Sequence, residues 1–388
     1  MIIITFISIV LITYLGWGVI YQLFYAILGK FWKEKYWPKA KHYKKIAVFI
    51  PGYKEDAVII ETAQQALKQN YPPERYEVVV IADSFSYETL LALRKLPIRV
   101  EEVSFETSTK SKAINTVLKR MDKNEFDILV ILDADNIMET DFLERTNAAF
   151  AQGVRVLQGR RAAKNTDTAM AILDGLSEDI NNHILCKGHS VAGLSSRLAG
   201  SAMAFDWSLF GEVMPQIDAI GGFDKELELR LTKRKEFVVY DPLMVVYDEK
   251  VRKGKHFSNQ RSRWIAAQFH YAGRFFLPSF INLLRHGQWD HFNKASQMLL
   301  PPRLLTPGIL GIGSLFLWIF GWQTLSLIWG AVFALNILSF LLAMPAYAWK
   351  SPYRDALLRV PLAFWHALVS LIGLRKANKK FIHTPHGE

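Results

Sequence analysis

The hydrophobic pattern begins with a long apolar run, Ile2–Gly29, in which no side chain is charged. A helix of this length, rising about 1.5 Å per residue, can cross the roughly 30 Å hydrocarbon core of a bilayer. No basic residue precedes the run and several lysines follow it, from Lys30 to Lys45, which is the reverse of a cleaved signal peptide. The positive-inside rule therefore predicts a transmembrane helix over 1–29 with its amino terminus outside, followed by a basic juxtamembrane linker over 30–45.

A second uncharged stretch, 304–349, is long enough for two transmembrane helices joined by a tight turn near 321–324. Arg303 precedes this stretch, and Lys350 and Arg354 follow it. These basic flanks place both ends of the stretch on the cytoplasmic side. With the first run, the pattern predicts three transmembrane helices.

The remaining apolar segments are interrupted by charged residues. Residues 265–303 are predicted to form amphipathic helices at the membrane surface. The segment 357–374 contains a basic residue and has basic residues on both flanks, which favours an interfacial or re-entrant helix over a full crossing. We therefore assign 350–388 to an interfacial helix and a basic cytoplasmic tail.

Between the membrane segments, residues 46–264 have the pattern of a soluble α/β domain. Short apolar runs of strand length alternate with segments whose apolar residues have helical spacing. This alternation predicts a Rossmann-like, mainly parallel, doubly wound sheet, in which ligands bind at the carboxyl ends of the strands. The predicted strands are 46–50, 78–82, 98–103, 128–132 and 154–158, and the predicted helices are 57–69, 87–96, 111–121 and 140–151.

Acidic residues follow three of the predicted strands. Asp133 and Asp135 come directly after one buried run, Asp83 closes another, and Glu55 follows the first. An Asp-x-Asp pair alone is better explained by a turn or a helix cap, where Asp is common. Acids at three successive strand ends exceed what capping requires, and hard oxygen ligands suit Mg²⁺ or Mn²⁺ bridging a diphosphate.

Basic residues are placed to complement such a site. Lys110 and Lys112 begin the helix before the Asp133 strand, where their charge and the helix amino terminus favour phosphate, although two lysines there are also typical of a solvated surface. Downstream, Gln260 is followed by Arg263 and Trp264. A guanidinium suits phosphate and an indole face suits a sugar ring, whereas the alternative is an ordinary membrane-surface helix.

Composition narrows the function classes. The chain of 388 residues has 47 Lys and Arg against 36 Asp and Glu, a net charge of +11 that fits anionic lipid, phosphorylated ligands or nucleic acid. Much of the excess lies beside membrane segments, and no nucleic-acid-binding motif is evident, so we expect no nucleic-acid partner. The single cysteine, Cys186, excludes an intramolecular disulfide and paired-cysteine zinc motifs.

Seven short motifs in order resemble glycosyltransferase family 2, in particular its membrane-integrated branch, which includes cellulose, hyaluronan and poly-N-acetylglucosamine synthases and ceramide glucosyltransferase. The resemblance covers about 46–264 and implies a glycosyltransferase type A fold and a nucleotide-sugar donor, usually a UDP-sugar. The motifs are Pro51-Gly52-Tyr53-Lys54-Glu55, Asp83, residues 110–115, Asp133-Ala134-Asp135, residues 199–205, Glu226-Leu227-Glu228-Leu229 and Gln260-Arg261-Ser262-Arg263-Trp264.

The resemblance also implies residue roles. Asp83 would recognise the nucleotide base, with Pro51, Tyr53 and Glu55 beside it, and Lys110 and Arg263 would lie near the diphosphate. Asp133 and Asp135 would hold the donor and a Mg²⁺ or Mn²⁺ ion. The acceptor would be held by Gly200, Ser201, Gln260 and Trp264.

The general base is where this chain departs from the family. The family usually has Glu-Asp or Thr-Glu-Asp before Leu-Glu-Leu, with the Asp as base, but here the order is Asp224-Lys225-Glu226-Leu227-Glu228-Leu229. The register favours Glu226 as the base and leaves Asp224 as the alternative. Only geometry decides which carboxylate reaches the acceptor hydroxyl.

These features predict an inverting, metal-dependent glycosyltransferase of the bacterial plasma membrane, acting at the cytoplasmic face on a polysaccharide acceptor. The alternative is a single addition to a lipid acceptor, which three transmembrane helices favour because processive export normally requires more. Whether an export partner or a second copy of the chain takes part is left open.

Overall fold

The computed structural model describes residues 2–219, 221–252 and 254–372; the last residues of the 357–374 segment and the predicted basic tail lie outside this part. Its centre is a sheet of eight strands in the order β3-β2-β1-β4-β7-β6-β8-β5. The strands are β1 Ile46–Tyr53, β2 Tyr76–Asp83, β3 Arg99–Val103, β4 Ile128–Ile131, β5 Ile137–Met138, β6 Val156–Ala163, β7 Met203–Asp206 and β8 Val238–Asp248.

The sheet is mixed but mostly parallel. Strands β1, β2, β3 and β4 pair in parallel, as do β6 and β8. Strand β7 runs antiparallel between β4 and β6, and the short β5 is antiparallel to β8. The predicted α/β class is therefore confirmed.

Helices cover both faces of this sheet, which explains why its strands are apolar without interruption. Along β1, Ala47 and Phe49 point into one core while Ile46, Val48 and Ile50 point into the other. The helices of this part are α2 Ile59–Ala66, α3 Tyr87–Leu93, α4 Lys110–Arg120, α5 Phe142–Ala151, α6 Ala169–Asn181, α7 His189–Val191, α8 Trp207–Val213 and α9 Phe223–Lys233.

The apolar segments form a second bundle beside the sheet domain. Two helices, α1 Ile2–Gly29 and α13 Gln323–Ala343, are long and apolar enough to cross a membrane by length and composition, whereas α12 Thr306–Ile319 has only 14 residues. The bundle consists of α1 Ile2–Gly29, α10 Gly254–His286, α11 Trp289–Gln297, α12 Thr306–Ile319, α13 Gln323–Ala343, α14 Tyr353–Leu357 and α15 Val360–Ile372.

Helix α10 and the segment after α6 connect the two halves. Helix α10 continues across the domain boundary expected at 264/265, so the Gln260-to-Trp264 motif lies on the same helix as the amphipathic stretch. A π-helix, Asn182–Gly188, packs against α1. Gly188 is required there because a Cβ would lie 2.3 Å from the Tyr25 carbonyl oxygen.

Candidate active site

One cavity of about 500 Å³ lies at the carboxyl ends of the central strands and continues to the apolar helices. At the sheet end, which we call the donor end, its lining includes Pro51, Tyr53, Glu55, Asp83, Lys110, Asp133 and Asp135. At the other end, the membrane end, its lining includes Gly18, Tyr21, Gln22, Pro301, Pro302, Arg303, Leu305, Thr306 and Asn336.

Strand register brings the predicted acids together at the donor end. Tyr53 at the end of β1 is paired with Asp83 at the end of β2, and Asp133 follows the end of β4, the other neighbour of β1. The Asp83 side chain is buried, and this burial raises its pKa, against the hydrogen bonds from Ser108 and Ser84 and the charge of Lys54. A buried carboxylate at this position can accept a hydrogen bond from an N–H group of a nucleobase.

The Asp133 and Asp135 carboxylates are held by groups from distant segments. Lys110 contacts the Asp133 carboxylate and donates to the Gly200 carbonyl oxygen at 2.9 Å. Asp135 accepts the Glu249 backbone N–H at 3.0 Å. Lys112, by contrast, points to the Thr107 carbonyl oxygen and does not belong to the cavity lining described.

The donor end has the ligand chemistry of a hard cation. Within the described lining there is neither histidine nor cysteine, so the side-chain ligands on offer are oxygens. No group of three or more His, Cys, Asp or Glu residues capable of holding a metal occurs in the described ranges. Asp133 and Asp135 therefore fit Mg²⁺ or Mn²⁺ as partial ligands, the remaining oxygens coming from phosphate or water, as is usual for Mg²⁺.

The family motif implied that Ser201 binds the acceptor, but the structure places its side chain elsewhere. It is fully buried and is not among the residues that line the cavity. Its hydroxyl oxygen accepts the Asp133 backbone N–H at 2.9 Å. Ser201 therefore positions the loop that carries the carboxylates, whereas Gly200 does line the cavity.

The two candidate bases lie on opposite faces of α9. Residues two apart on a helix differ by about 200° in direction, so Asp224 and Glu226 cannot point into the same space. Asp224 lines the cavity, and a Cβ on Gly200 would lie 3.9 Å from its carboxylate. Glu226 is 1% exposed, lies outside the described lining and pairs with Arg230 at 2.7 Å and Arg274 at 3.1 Å. The geometry therefore disagrees with the preference for Glu226 and favours Asp224.

The Gln260, Arg263 and Trp264 side chains of α10 line the cavity together. Burial lowers the pKa of Arg263. Between them, Arg261 lies over the Trp264 ring at 4.6 Å and pairs with Asp174 at 2.7 Å. The helix thus lines the cavity with two cations, Arg261 and Arg263, and an exposed indole face, and Arg261 also ties α10 to α6.

Comparisons with known proteins place this chain in a family. The model of the family described as "Glycosyltransferase like family 2" matches residues 44–267, more than half of the chain. The protein is a family 2 glycosyltransferase. Its fold is shared with the mannosyltransferase PcManGT from Pyrobaculum calidifontis, solved with GDP-Man and Mn²⁺, with a TM-score of 0.58 and 18% identity over 95% of this chain and 98% of that one.

Among similar sequences is a beta-monoglucosyldiacylglycerol synthase of Synechocystis sp., 24% identical over 57% of this glycosyltransferase and 47% of the relative. Another is the probable glycosyltransferase YdaM of Bacillus subtilis, 21% identical over 66% of this chain and 61% of that protein. The glycosyltransferase thus spans roughly half of the length of the curated relatives it matches.

A buried ionic network in this glycosyltransferase was missed from the sequence. Arg161 and Lys250 both pair with Asp248, the latter at 2.7 Å, and Arg197 pairs with Glu178. The signal that identified Asp83 was also present here, because Asp248 closes the apolar end of β8. Its cationic partners have no comparable signal, since they come from segments far apart in sequence.

Proposed function

We propose that this glycosyltransferase transfers a sugar, with inversion, from a nucleoside diphosphate donor to a hydroxyl group of a membrane lipid. The observation that supports the lipid acceptor most strongly is the continuity of the cavity. It extends from the acids at the strand ends to Gly18 and Gln22 on α1 and to Asn336 on α13, the two helices long enough to cross a membrane. An acceptor with a polar head and an apolar body fits such a space.

The membrane end of the cavity contains a polar group that requires a ligand or water. Asn336 is fully buried, and neither its amide nitrogen nor its amide oxygen has a hydrogen-bond partner in the described part of the chain. It lies seven residues before the end of α13, about 10 Å along the helix axis. An unsatisfied amide at this depth is costly, and the hydroxyl or ester groups below a lipid headgroup are suitable partners.

The donor end supports a nucleotide-sugar site with the roles that the family motifs imply. The buried Asp83 would accept a hydrogen bond from the base, with Pro51, Tyr53 and Glu55 around the nucleoside. Lys110 and Arg263 would bind the diphosphate. Bound at Asp133 and Asp135, Mg²⁺ or Mn²⁺ would supply Lewis-acid stabilisation of charge on the departing diphosphate.

In the proposed step, Asp224 accepts the proton of the acceptor hydroxyl. The acceptor oxygen forms a bond to the anomeric carbon while the bond from that carbon to the diphosphate oxygen breaks, and the electron pair leaves with the nucleoside diphosphate. One displacement turns an α-linked donor into a β-glycoside. Gly200 leaves room for the acceptor between Asp224 and Lys110, because it adds no side chain there.

The relatives and the charge pattern support a location in the membrane. Two matched relatives are named for the synthesis of a glycolipid, beta-monoglucosyldiacylglycerol. The lysines after α1 and the basic residues around 304–349 favour an integral protein of a bacterial plasma membrane with its amino terminus outside and the sheet domain in the cytoplasm.

A polysaccharide acceptor is the second candidate, and Trp264 favours it. Its indole is partly exposed to the cavity, where it can stack on a sugar ring. Product analysis separates the two candidates. A lipid with a single added sugar supports the proposal, whereas a ladder of products with increasing sugar number supports a polymer.

The test uses the purified full chain in lipid nanodiscs with a panel of nucleotide sugars, with and without Mn²⁺. We expect nucleoside diphosphate release that depends on the metal and on the lipid, together with labelled sugar in the organic extract. Release of diphosphate with all label remaining in the aqueous phase would contradict a lipid acceptor. Equal rates after chelation would contradict the metal assignment.

A further inference from the structure

Arg303 is a cation of the cavity wall whose protein partners are neutral. Its guanidinium donates to the Asn181 side-chain oxygen at 2.7 Å and to the Ser177 carbonyl and hydroxyl oxygens at 3.0 and 3.1 Å. Its Nε atom is buried and has no hydrogen-bond partner in the described ranges. The Arg303 side chain is half-buried and lines the cavity, so an anion bound there would compensate its charge better than its neutral protein partners do.

Among the described residues, no carboxylate of the surrounding network pairs directly with Arg303. Each nearby carboxylate is already paired: Asp174 with Arg261, Glu178 with Arg197, and Asp248 with two cations. Burial, together with the charges of Arg261 and Arg197, lowers the pKa of Arg303 to about 9, against the opposing charge of Glu178. Arg303 therefore has no carboxylate of its own among the described residues, whereas Arg161, Arg197, Lys250 and Arg261 each pair with one.

Arg303 also lies at the level where a lipid headgroup would be. It precedes α12 by three residues and is bonded to α6. The same helix packs through Ile180 against Tyr25 of α1 and Ala343 of α13, close to the ends of those two helices. At this depth, a membrane lipid presents its phosphate and a soluble donor does not.

From these neutral partners and this position, we infer that the lipid acceptor carries a phosphate in its headgroup and that Arg303 binds this phosphate. The inference rests on the proposed function, because it specifies the acceptor of the same cavity. It assigns the two anions of the reaction to different cations. The donor diphosphate belongs to Lys110 and Arg263, and the acceptor phosphate belongs to Arg303.

The experiment compares two acceptors with identical acyl chains in nanodiscs, phosphatidylglycerol and neutral diacylglycerol, using the donor found in the screen above. For the wild type we expect kcat/KM to be about tenfold or more higher for phosphatidylglycerol, since a charge-assisted bidentate contact is worth that much. Arg303→Gln should bring the two lipids to within about threefold of each other and leave the KM for the donor unchanged. Arg303→Lys should keep part of the preference.

Arg354→Gln is the matched control, because this exposed arginine of α14 pairs only with the exposed Asp355 among the described residues, and its preference should equal that of the wild type. Free glycerol phosphate, added as a competitor, should inhibit weakly; inhibition as strong as that by the lipid would mean a site for soluble phosphates. An increase in the donor KM of Arg303→Gln, or an equal loss with both lipids, would overturn the inference while leaving lipid glycosylation intact.

If neither lipid is glycosylated, the proposed function fails. Lipid binding then tests separately whether Arg303 binds a lipid phosphate. Phosphatidylglycerol in detergent should raise the melting temperature of the wild type more than diacylglycerol does, and Arg303→Gln should abolish the difference. Equal shifts with both lipids would overturn the phosphate assignment.

Discussion

The two ends of the cavity are built in different ways. At the donor end, the backbone of a parallel sheet determines where the chemistry lies, because Asp83 ends β2 and Asp133 follows β4, the two strands beside β1. At the membrane end, no single element determines the site. Its polar groups come from α6, from the segment before α12 and from α13, and the Arg303 side chain joins the first two.

We infer from this difference that the donor end determines the transfer chemistry and that the membrane end determines which acceptor is used. A site fixed by strand register tolerates little variation, which suits a donor whose diphosphate must be oriented for displacement. A site assembled from side chains on several helices can change its acceptor through a few substitutions. We therefore expect substitutions at the donor end to reduce turnover and substitutions at the membrane end to change mainly the preference for acceptors.

The largest effect is expected for Asp135→Asn. The loss of one carboxylate from the expected metal site should reduce transfer by about a thousandfold or more, since a metal contributes several kcal/mol to stabilisation of the transition state. Diphosphate release by the purified variant in nanodiscs measures this. Asp141→Asn, at the start of α5 and outside the described cavity lining, is the control and should retain full activity.

The next effect separates the two acids of α9. Asp224→Asn should reduce kcat by about a hundredfold to ten-thousandfold, the usual contribution of a general base. Glu226→Gln should change kcat by no more than a few fold, because Glu226 faces Arg230 and Arg274. Its cost should be thermodynamic, on the order of 1–3 kcal/mol in the free energy of unfolding of the sheet domain. Loss of turnover in Glu226→Gln with wild-type activity in Asp224→Asn would reverse the assignment.

Asp83 should affect donor binding in a pH-dependent manner. Because burial raises the pKa of its carboxyl, the group becomes protonated at a higher pH than an ordinary aspartate as the pH falls. The KM for the donor should therefore rise on the acid side at a higher pH than an exposed carboxyl would produce. Asp83→Asn should raise the KM about tenfold at neutral pH and remove this acid limb. An unchanged pH profile in the variant would exclude Asp83 from donor binding.

The smallest effect is expected at the membrane end. Asn336→Leu should raise the KM for the lipid acceptor by about three- to tenfold without changing the KM for the donor. The same variant should be at least as stable as the wild type, since the buried amide has no protein partner in the described ranges. Leu335→Ala, at a partly exposed neighbouring position, is the control for altered lipid packing. A loss of stability in Asn336→Leu would instead indicate a structural role.

The two ends also differ in how far they could be predicted from the sequence. The fold class and the acids Asp83, Asp133 and Asp135 follow from local patterns, because strand ends in a parallel sheet meet at one edge. The choice between Asp224 and Glu226 depended on motif alignment, which counts positions but does not follow the 100° step per residue of a helix. Arg303 and Asn336 have no local signal, since each becomes unusual only when its surroundings are known.

The central claim is that one cavity joins the donor site to the membrane and admits a lipid. The direct measurement is photo-crosslinking of the full chain in nanodiscs with a lipid whose reactive group lies beside its headgroup, followed by mass spectrometry of the labelled peptides. Our account predicts adducts at the cavity residues Gln22, Thr306 and Asn336, diminished by excess unmodified acceptor lipid. Adducts confined to outward-facing residues such as Ile20 and Leu327, which are 64% and 75% exposed, would contradict it.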